Sequence, residues 1–405
     1  MTSRERVLKA LRHERPDMIP LDLGGTEASG MTGVAYNRLR EYLGLGQGET
    51  QLFDVYQQVV KIEDDVREIL KPDTIPLLME PAGWKPFHLP DGSPCHIPEK
   101  WNPEEGDHGD LIVKDRRGVV VARMPESGYY FEPMHAPLAR INNVSELEAF
   151  ADEIESFDWP SFADESYEAF ALRAKSLFEE TDLAVVSNLQ LHLLSAGQQL
   201  RGYETFMMDL IMNKTLVHGL LERLTEAYIR RCESYLASVG DYIQIVLVND
   251  DLGTQTGPML SLDCYREMIW PYQKRLFQYI KETGDVFILY HSCGSIYLFI
   301  PMLIEAGVDA LNPIQVSAKD MDTARLKNEF GRDLTFWGGG CDTQHVLRTG
   351  TRSQIDDEVR KRVKDLSPGG GFVFSQVHNI QPDVEPENVM TMLQAFEKYR
   401  SYEDH

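Results

Sequence analysis

An imidazole and a thiol two positions apart close the apolar run VFILYHSCGSI (residues 286–296), where His291 and Cys293 precede Gly294. Side chains alternate along an extended segment, so His291 and Cys293 face one side and can approach one ion. Zinc takes thiolate and imidazole donors in a tetrahedron, and a catalytic zinc keeps three protein ligands and one open position. Two further donors follow later apolar runs, Cys341 in FWGGGCDTQ and His378 in FSQVHN, and either or both can complete the set. Each also has a plainer reading. A cysteine after three glycines can simply fill a gap, and a single histidine on an apolar strand can be a hydrogen-bonded core residue.

Other reactive groups end runs of the same kind. Asp250 and Asp251 follow IQIVLVN, and Tyr290 precedes His291, so an acid or a phenol is available to assist a leaving group. Asp251 equally suits a helix cap. Asp22, Glu80, Gln190, Asn312, Gln315, Trp337 and Gln344 occupy comparable places and are the candidates for holding a substrate. His192 lies beside Gln190.

These groups converge only if the elements carrying them share one rim. Apolar runs bounded by turn residues predict eight strands, at 19–25, 74–80, 183–190, 243–250, 286–292, 308–315, 334–340 and 371–379. Helical periodicity lies between them, in TLVHGLLERLTEAYIRRCESYLASV, YREMIWPYQKRLFQYIKET, SIYLFIPMLIEAG and SQIDDEVRKRVKDL. Strands apolar throughout and alternating with helices predict an α/β fold with a parallel sheet, and eight units predict a closed (β/α)8 barrel of the TIM type. Residues 82–140 break the rhythm and read as a β-rich insertion after the second strand, placed to cover the mouth, with a hairpin turn at residues 115–118. Residues 141–182 open as an acidic, helix-forming surface piece. With no linker or repeat, residues 1–405 are expected to form one barrel domain.

Composition excludes several functions. Of 405 residues, 64 are acidic and 40 basic, and the formal charge of −24 repels nucleic acid and anionic membranes. No apolar stretch approaches the roughly 20 residues of a membrane span, and MTSRERVLKALRH has no signal-peptide core, so a cytoplasmic location is expected. The five cysteines are scattered and odd in number, which suits reduced thiols. Walker, G-x-G-x-x-G and G-x-S-x-G patterns are missing from the glycine-rich stretches.

In order and spacing, VNDDLGTQTGPMLSLDCYREMIWPYQKRL, YHSCGSIYLFIPMLIEAGVDALNPIQ, FWGGGCDTQ and PGGGFVFSQVHNIQPDVEPENV resemble the uroporphyrinogen decarboxylase superfamily. The resemblance runs from about the first helix to the last, apart from the insertion, and is strongest after residue 245. It implies a (β/α)8 barrel. True uroporphyrinogen decarboxylases of the family carry an arginine-rich loop after the first strand that holds the substrate's propionates. Here Leu21 to Gly33 read LDLGGTEASGMTG, without arginine.

The chain is more similar to the zinc-dependent methyltransferases that work with corrinoid proteins, whose His-x-Cys pair matches His291 and Cys293. Their later cysteine near the last strand has no direct counterpart, since Val377-His378 stand there. The resemblance implies zinc, a corrinoid (cobalamin) carried by a separate partner protein, and transfer of a methyl group from a small methylated substrate such as a methoxylated aromatic (O-demethylation), or to a thiol. Two other readings stay open, a metal-independent decarboxylase or lyase using Asp250 or Asp251, and a non-catalytic small-molecule binder. The acidic surface is compatible with a homodimer.

Overall fold

The computed structural model describes residues 1–157 and 162–402. Seven parallel strands, Thr74–Leu77, Ala184–Asn188, Ile245–Asn249, Phe287–His291, Ala310–Asn312, Thr335–Trp337 and Phe372–Val373, pair with one another in chain order. The expected first strand is reduced to a bridge. Leu21 pairs in parallel with Phe374, Asp22 N donates to Phe374 O at 2.8 Å, and Asp73 N donates to Leu21 O at 2.7 Å. This short segment therefore joins the two edges of the curled sheet. Pro20 has no N–H to extend the ladder, and the Asp22 carboxylate turns the chain by accepting from Gly25 N at 2.9 Å.

Period-two alternation sorts the strand residues into two cores. Val185, Val246, Ile288, Leu311, Phe336 and Phe372 pack outward against the helices. Val186, Leu247, Leu289, Ala310, Trp337 and Val373 point into the barrel, where Val7, Ala10 and Leu11 of the helix Ser3–Leu11 join them. The lumen is thus filled from the amino-terminal side of the strands, and open space is left at their carboxyl ends.

The helices Lys214–Val239 and Arg352–Leu366 match their periodic patterns. The pattern at 265–283 is split instead into Leu262–Met268 and Trp270–Thr283, because Pro271 supplies no N–H and so begins a new first turn. SIYLFIPMLIEAG likewise starts as a 3-10 turn, Tyr297–Phe299, before Ile300–Ala306.

Residues 82–140 are β-rich. Trp84–His88 pairs antiparallel with Pro94–Pro98, and Pro103–Glu105, Leu111–Lys114, Val120–Met124 and Glu132–Pro133 form a second antiparallel sheet. In the expected hairpin turn, Asp115 Oδ1 accepts from Arg117 N at 2.8 Å and Val119 N at 2.9 Å. A two-stranded ribbon, Leu52–Asp54 with Val59–Val60, was not anticipated. Part of the acidic surface piece, residues 158–161, lies outside the described residues. Among those described, no helix is long and apolar enough to cross a membrane.

Candidate functional site

Asn188, Asn249, His291 and Asn312 are the last residues of four neighbouring strands. Counting in twos from the inward Val186, Leu247, Leu289 and Ala310 places all four side chains on the lumen side. They form one polar layer above the apolar plug.

His291 supplies the imidazole of that layer. Its Nδ1 lies 2.8 Å from Asn312 Oδ1, while Asn312 Nδ2 donates to Trp337 O at 3.2 Å, which fixes the amide's orientation. The His291 proton therefore sits on Nδ1, and Nε2 keeps its lone pair. Cys293 Sγ is 3.5 Å from that Nε2. His378 arrives from the far end of the chain in the same manner, with Nδ1 2.8 Å from Asn379 Oδ1. The ligand atoms of His291, Cys293 and His378 all lie within 4.8 Å of one another.

The turn that carries Cys293 is tightly built. Gly294 has φ +85°, and a Cβ on it would stand 2.3 Å from the Gly253 carbonyl carbon. Its N–H donates to Gln315 Oε1 at 2.6 Å, and Cys293 N donates to Asp251 Oδ1 at 2.8 Å. Asp251 thus caps this turn rather than a helix, with its oxygen 3.9 Å from His291 Nε2.

The donor set fits zinc. Zn–S of about 2.3 Å and Zn–N of about 2.0–2.1 Å put sulfur and nitrogen about 3.6 Å apart across a tetrahedral angle, close to the separation found here. Burial and the neighbouring His291 push the His378 imidazole down to about 4, so it is neutral and ready to ligate. Burial and the Asp251 carboxylate hold the Cys293 thiol well above its ordinary range. A thiolate at this place needs a cation beside it. Cys341 stays apart from the three, buried in the outer core, where burial also raises its thiol.

The remaining candidates fall into three groups. Asp250, Asp251 and Gln190 line a cavity of about 630 Å³ together with His192, Asn249 and the three donors. Asp250 is nevertheless committed. Its carboxylate accepts from Leu193 N (2.9 Å), Leu194 N (3.0 Å), Ser195 N (2.9 Å) and Gln273 Nε2 (2.9 Å), at the start of the helix Leu193–Arg201. Burial pushes it up to about 6 against those donors. Asn312 touches His291, and Gln315 touches the turn that carries Cys293. Tyr290, Asp22, Trp337, Glu80 and Gln344 are not in the wall. Tyr290, expected to donate to a leaving group, alternates to the outer face, where its hydroxyl meets Gln273 Nε2 at 3.0 Å. Asp22 accepts from Trp337 Nε1 at 2.7 Å and Thr74 Oγ1 at 2.6 Å, so this pair satisfies itself below the cavity. Glu80 pairs with Lys61 at 2.5 Å, and Gln344 accepts from Gln255 at 2.6 Å.

The family model for uroporphyrinogen decarboxylase (URO-D) matches residues 141–399. The chain belongs to the uroporphyrinogen decarboxylase family. It is 26% identical over 185 residues to the uroporphyrinogen decarboxylase of Thermus thermophilus, covering 46% of this chain and 49% of that one. It is 28% identical over 187 residues to that of Methylococcus capsulatus, covering 45% and 49%. The chain thus spans about half the length of the curated relatives it matches. A solved structure of a methyltransferase from Methanosarcina mazei shares the fold over 98% of this chain and 99% of that one, at 15% identity and a TM-score of 0.60.

Within this member of the uroporphyrinogen decarboxylase family, the cavity wall also holds residues that sequence reasoning passed over. Glu27 lies in the arginine-free loop, Asp54 and Tyr56 in the unforeseen ribbon, and Tyr130 and Phe131 in the insertion. Tyr130 donates to Asn379 Oδ1 at 3.0 Å, and Asn379 Nδ2 donates to Gln57 Oε1 at 3.1 Å. Both the insertion and the ribbon therefore brace the amide that orients His378.

Proposed function

We propose that the chain is a zinc-dependent methyltransferase that moves a methyl group between a small methylated substrate, for example a methoxylated aromatic, or a thiol, and a corrinoid on a separate protein. The observation that carries this reading is the meeting of His291, Cys293 and His378 at the rim of a cavity of about 630 Å³. Zinc held by these three would supply Lewis acidity toward the heteroatom that bears the methyl group. Asn312 and Asn379 fix the tautomers of the two imidazoles, Asp251 and Gln315 hold the Cys293 turn, and the aromatic wall excludes water from the substrate. Three ligands rather than four is the pattern of a catalytic ion. The corrinoid is assigned to a separate protein on the resemblance to the corrinoid-dependent methyltransferases.

A highly carboxylated porphyrinogen suits this cavity poorly. Its wall sets Glu27, Asp54, Glu132, Asp250 and Asp251 against Arg231. Metal analysis of protein purified without chelator tests the site, alongside a methyl-transfer assay with a cobalt(I) corrinoid protein. Stoichiometric zinc lost in His291→Ala is the expected result. Zinc content unchanged in that variant refutes the assignment.

A further inference from the structure

Two acceptors in the cavity wall, on Glu27 and Asn249, are buried with few partners. Glu27 is 9% exposed and lines the wall, with Oε1 accepting from Asn188 Nδ2 at 2.7 Å. Asn249 stands between Asn188 and His291 in the polar layer, and its Oδ1 is buried without a hydrogen-bond partner. The cation in the wall, Arg231, donates to Phe157 O at 2.7 Å and lies over the Tyr228 ring. An unmet acceptor and a buried carboxyl in one cavity call for a ligand that brings donors.

Geometry says where the donor belongs. Asn188, which holds Glu27, and His291 end strands two apart in the sheet, so about 10 Å separates these two strand ends. A para-substituted benzene ring spans such a gap, with one substituent toward each end. Tyr56, Tyr130, Phe131 and Tyr167 supply aromatic wall for its faces.

We propose that the cavity selects methylated substrates bearing a hydrogen-bond donor, hydroxyl or ammonium, opposite the methylated heteroatom, that Glu27 and Asn249 receive this donor, and that substrates with a carboxylate there are rejected. The electrostatics support the geometry. Burial pushes the Glu27 carboxyl up to about 7, Asp54 adds repulsion, and Asn188 offsets part of it. A donor or cation relieves that cost, and a second anion increases it.

This inference rests on reading the cavity as the substrate pocket of the proposed methyltransferase. The test is calorimetric titration of the zinc-loaded protein, without corrinoid, with 4-methoxyphenol, 4-methoxybenzylammonium and 4-methoxybenzoate. The first two are expected to bind at least tenfold more tightly than the benzoate. Glu27→Gln should cut that preference at least fivefold, and Asn249→Leu should weaken the phenol while leaving the benzoate unchanged. The phenol and ammonium arms distinguish a neutral donor from a charged one. Equal or tighter binding of the benzoate, binding of none of the three, or a preference unchanged in both variants overturns the inference. Selective binding without methyl transfer to a corrinoid protein would instead count against the methyltransferase reading alone.

Discussion

Replacing His378 with alanine separates the two ways of completing the metal site. A complete zinc site in a small peptide is worth about 10–16 kcal/mol, so one ligand of a set of three or four carries roughly 3–5 kcal/mol. His378→Ala should therefore weaken zinc binding by two to four orders of magnitude. Cys341→Ala should leave it unchanged, since Cys341 lies outside the cluster and is packed in the outer core. An intermediate case is Asn379→Ala. It keeps the ligand but removes the acceptor of the His378 Nδ1 proton, which now shares Asn379 Oδ1 with Tyr130 at 3.0 Å and Gln381 at 2.5 Å. Losing such an orienting partner costs about 10–100-fold in metal affinity. Competition with a chromophoric chelator measures all three on the same protein. The cobalt-substituted form adds an independent readout, because its thiolate charge-transfer band should survive in His378→Ala and vanish in Cys293→Ala. Zinc affinity that falls in Cys341→Ala but not in His378→Ala would refute the three-residue site.

Two further predictions concern stability. Glu27 is shifted from its ordinary 4.5 to about 7, chiefly by burial. Its native state therefore binds a proton that the unfolded chain releases, and the associated stability is complete below pH 4.5 and is lost as pH rises through 7. At about 1.4 kcal/mol per pH unit, Glu27→Gln should gain up to about 3 kcal/mol on the wild type between pH 4.5 and pH 8 in urea unfolding, and a pH-independent difference refutes this. Asp73 accepts from Arg6 at 2.5 Å, Arg400 at 3.1 Å, Leu21 N at 2.7 Å and Ser3 at 2.6 Å, tying both chain ends to the bridge that joins the sheet edges. Asp73→Ala removes the buried carboxylate that links Arg6 to Arg400, while Asp17 and Glu397 still pair with the two guanidinium groups, so the lost charge-assisted hydrogen bonds should cost about 2–3 kcal/mol, and a loss below 1 kcal/mol would show that the network does not hold the closure.

What could be read from the sequence follows from the range of the underlying forces. The strand Phe287–His291 was legible because its apolar run and the i, i+2 pair His291 and Cys293 are local features with a fixed geometric consequence. The choice between Cys341 and His378 was not, because it depends on strand parity beyond the ladder. Trp337 faces the lumen, but Gly338 and Gly339 follow at φ +89° and +77°. Alternation stops there, and Cys341 turns into the outer core instead of the rim. Asp250 and Tyr290 mislead for a related reason. A carboxylate or phenol at a strand end looks reactive in sequence, and only the packed helix Leu193–Arg201 and Gln273 show that their polar atoms are already satisfied. The reverse holds for Glu27. In LDLGGTEASGMTG it has no periodicity and no partner nearby in sequence, since its hydrogen bond is to Asn188, 161 positions away. A loop glutamate becomes a candidate specificity residue only when folding removes it from water and sets it in the wall of a cavity that Asn249 also lines, and no local pattern encodes that desolvation.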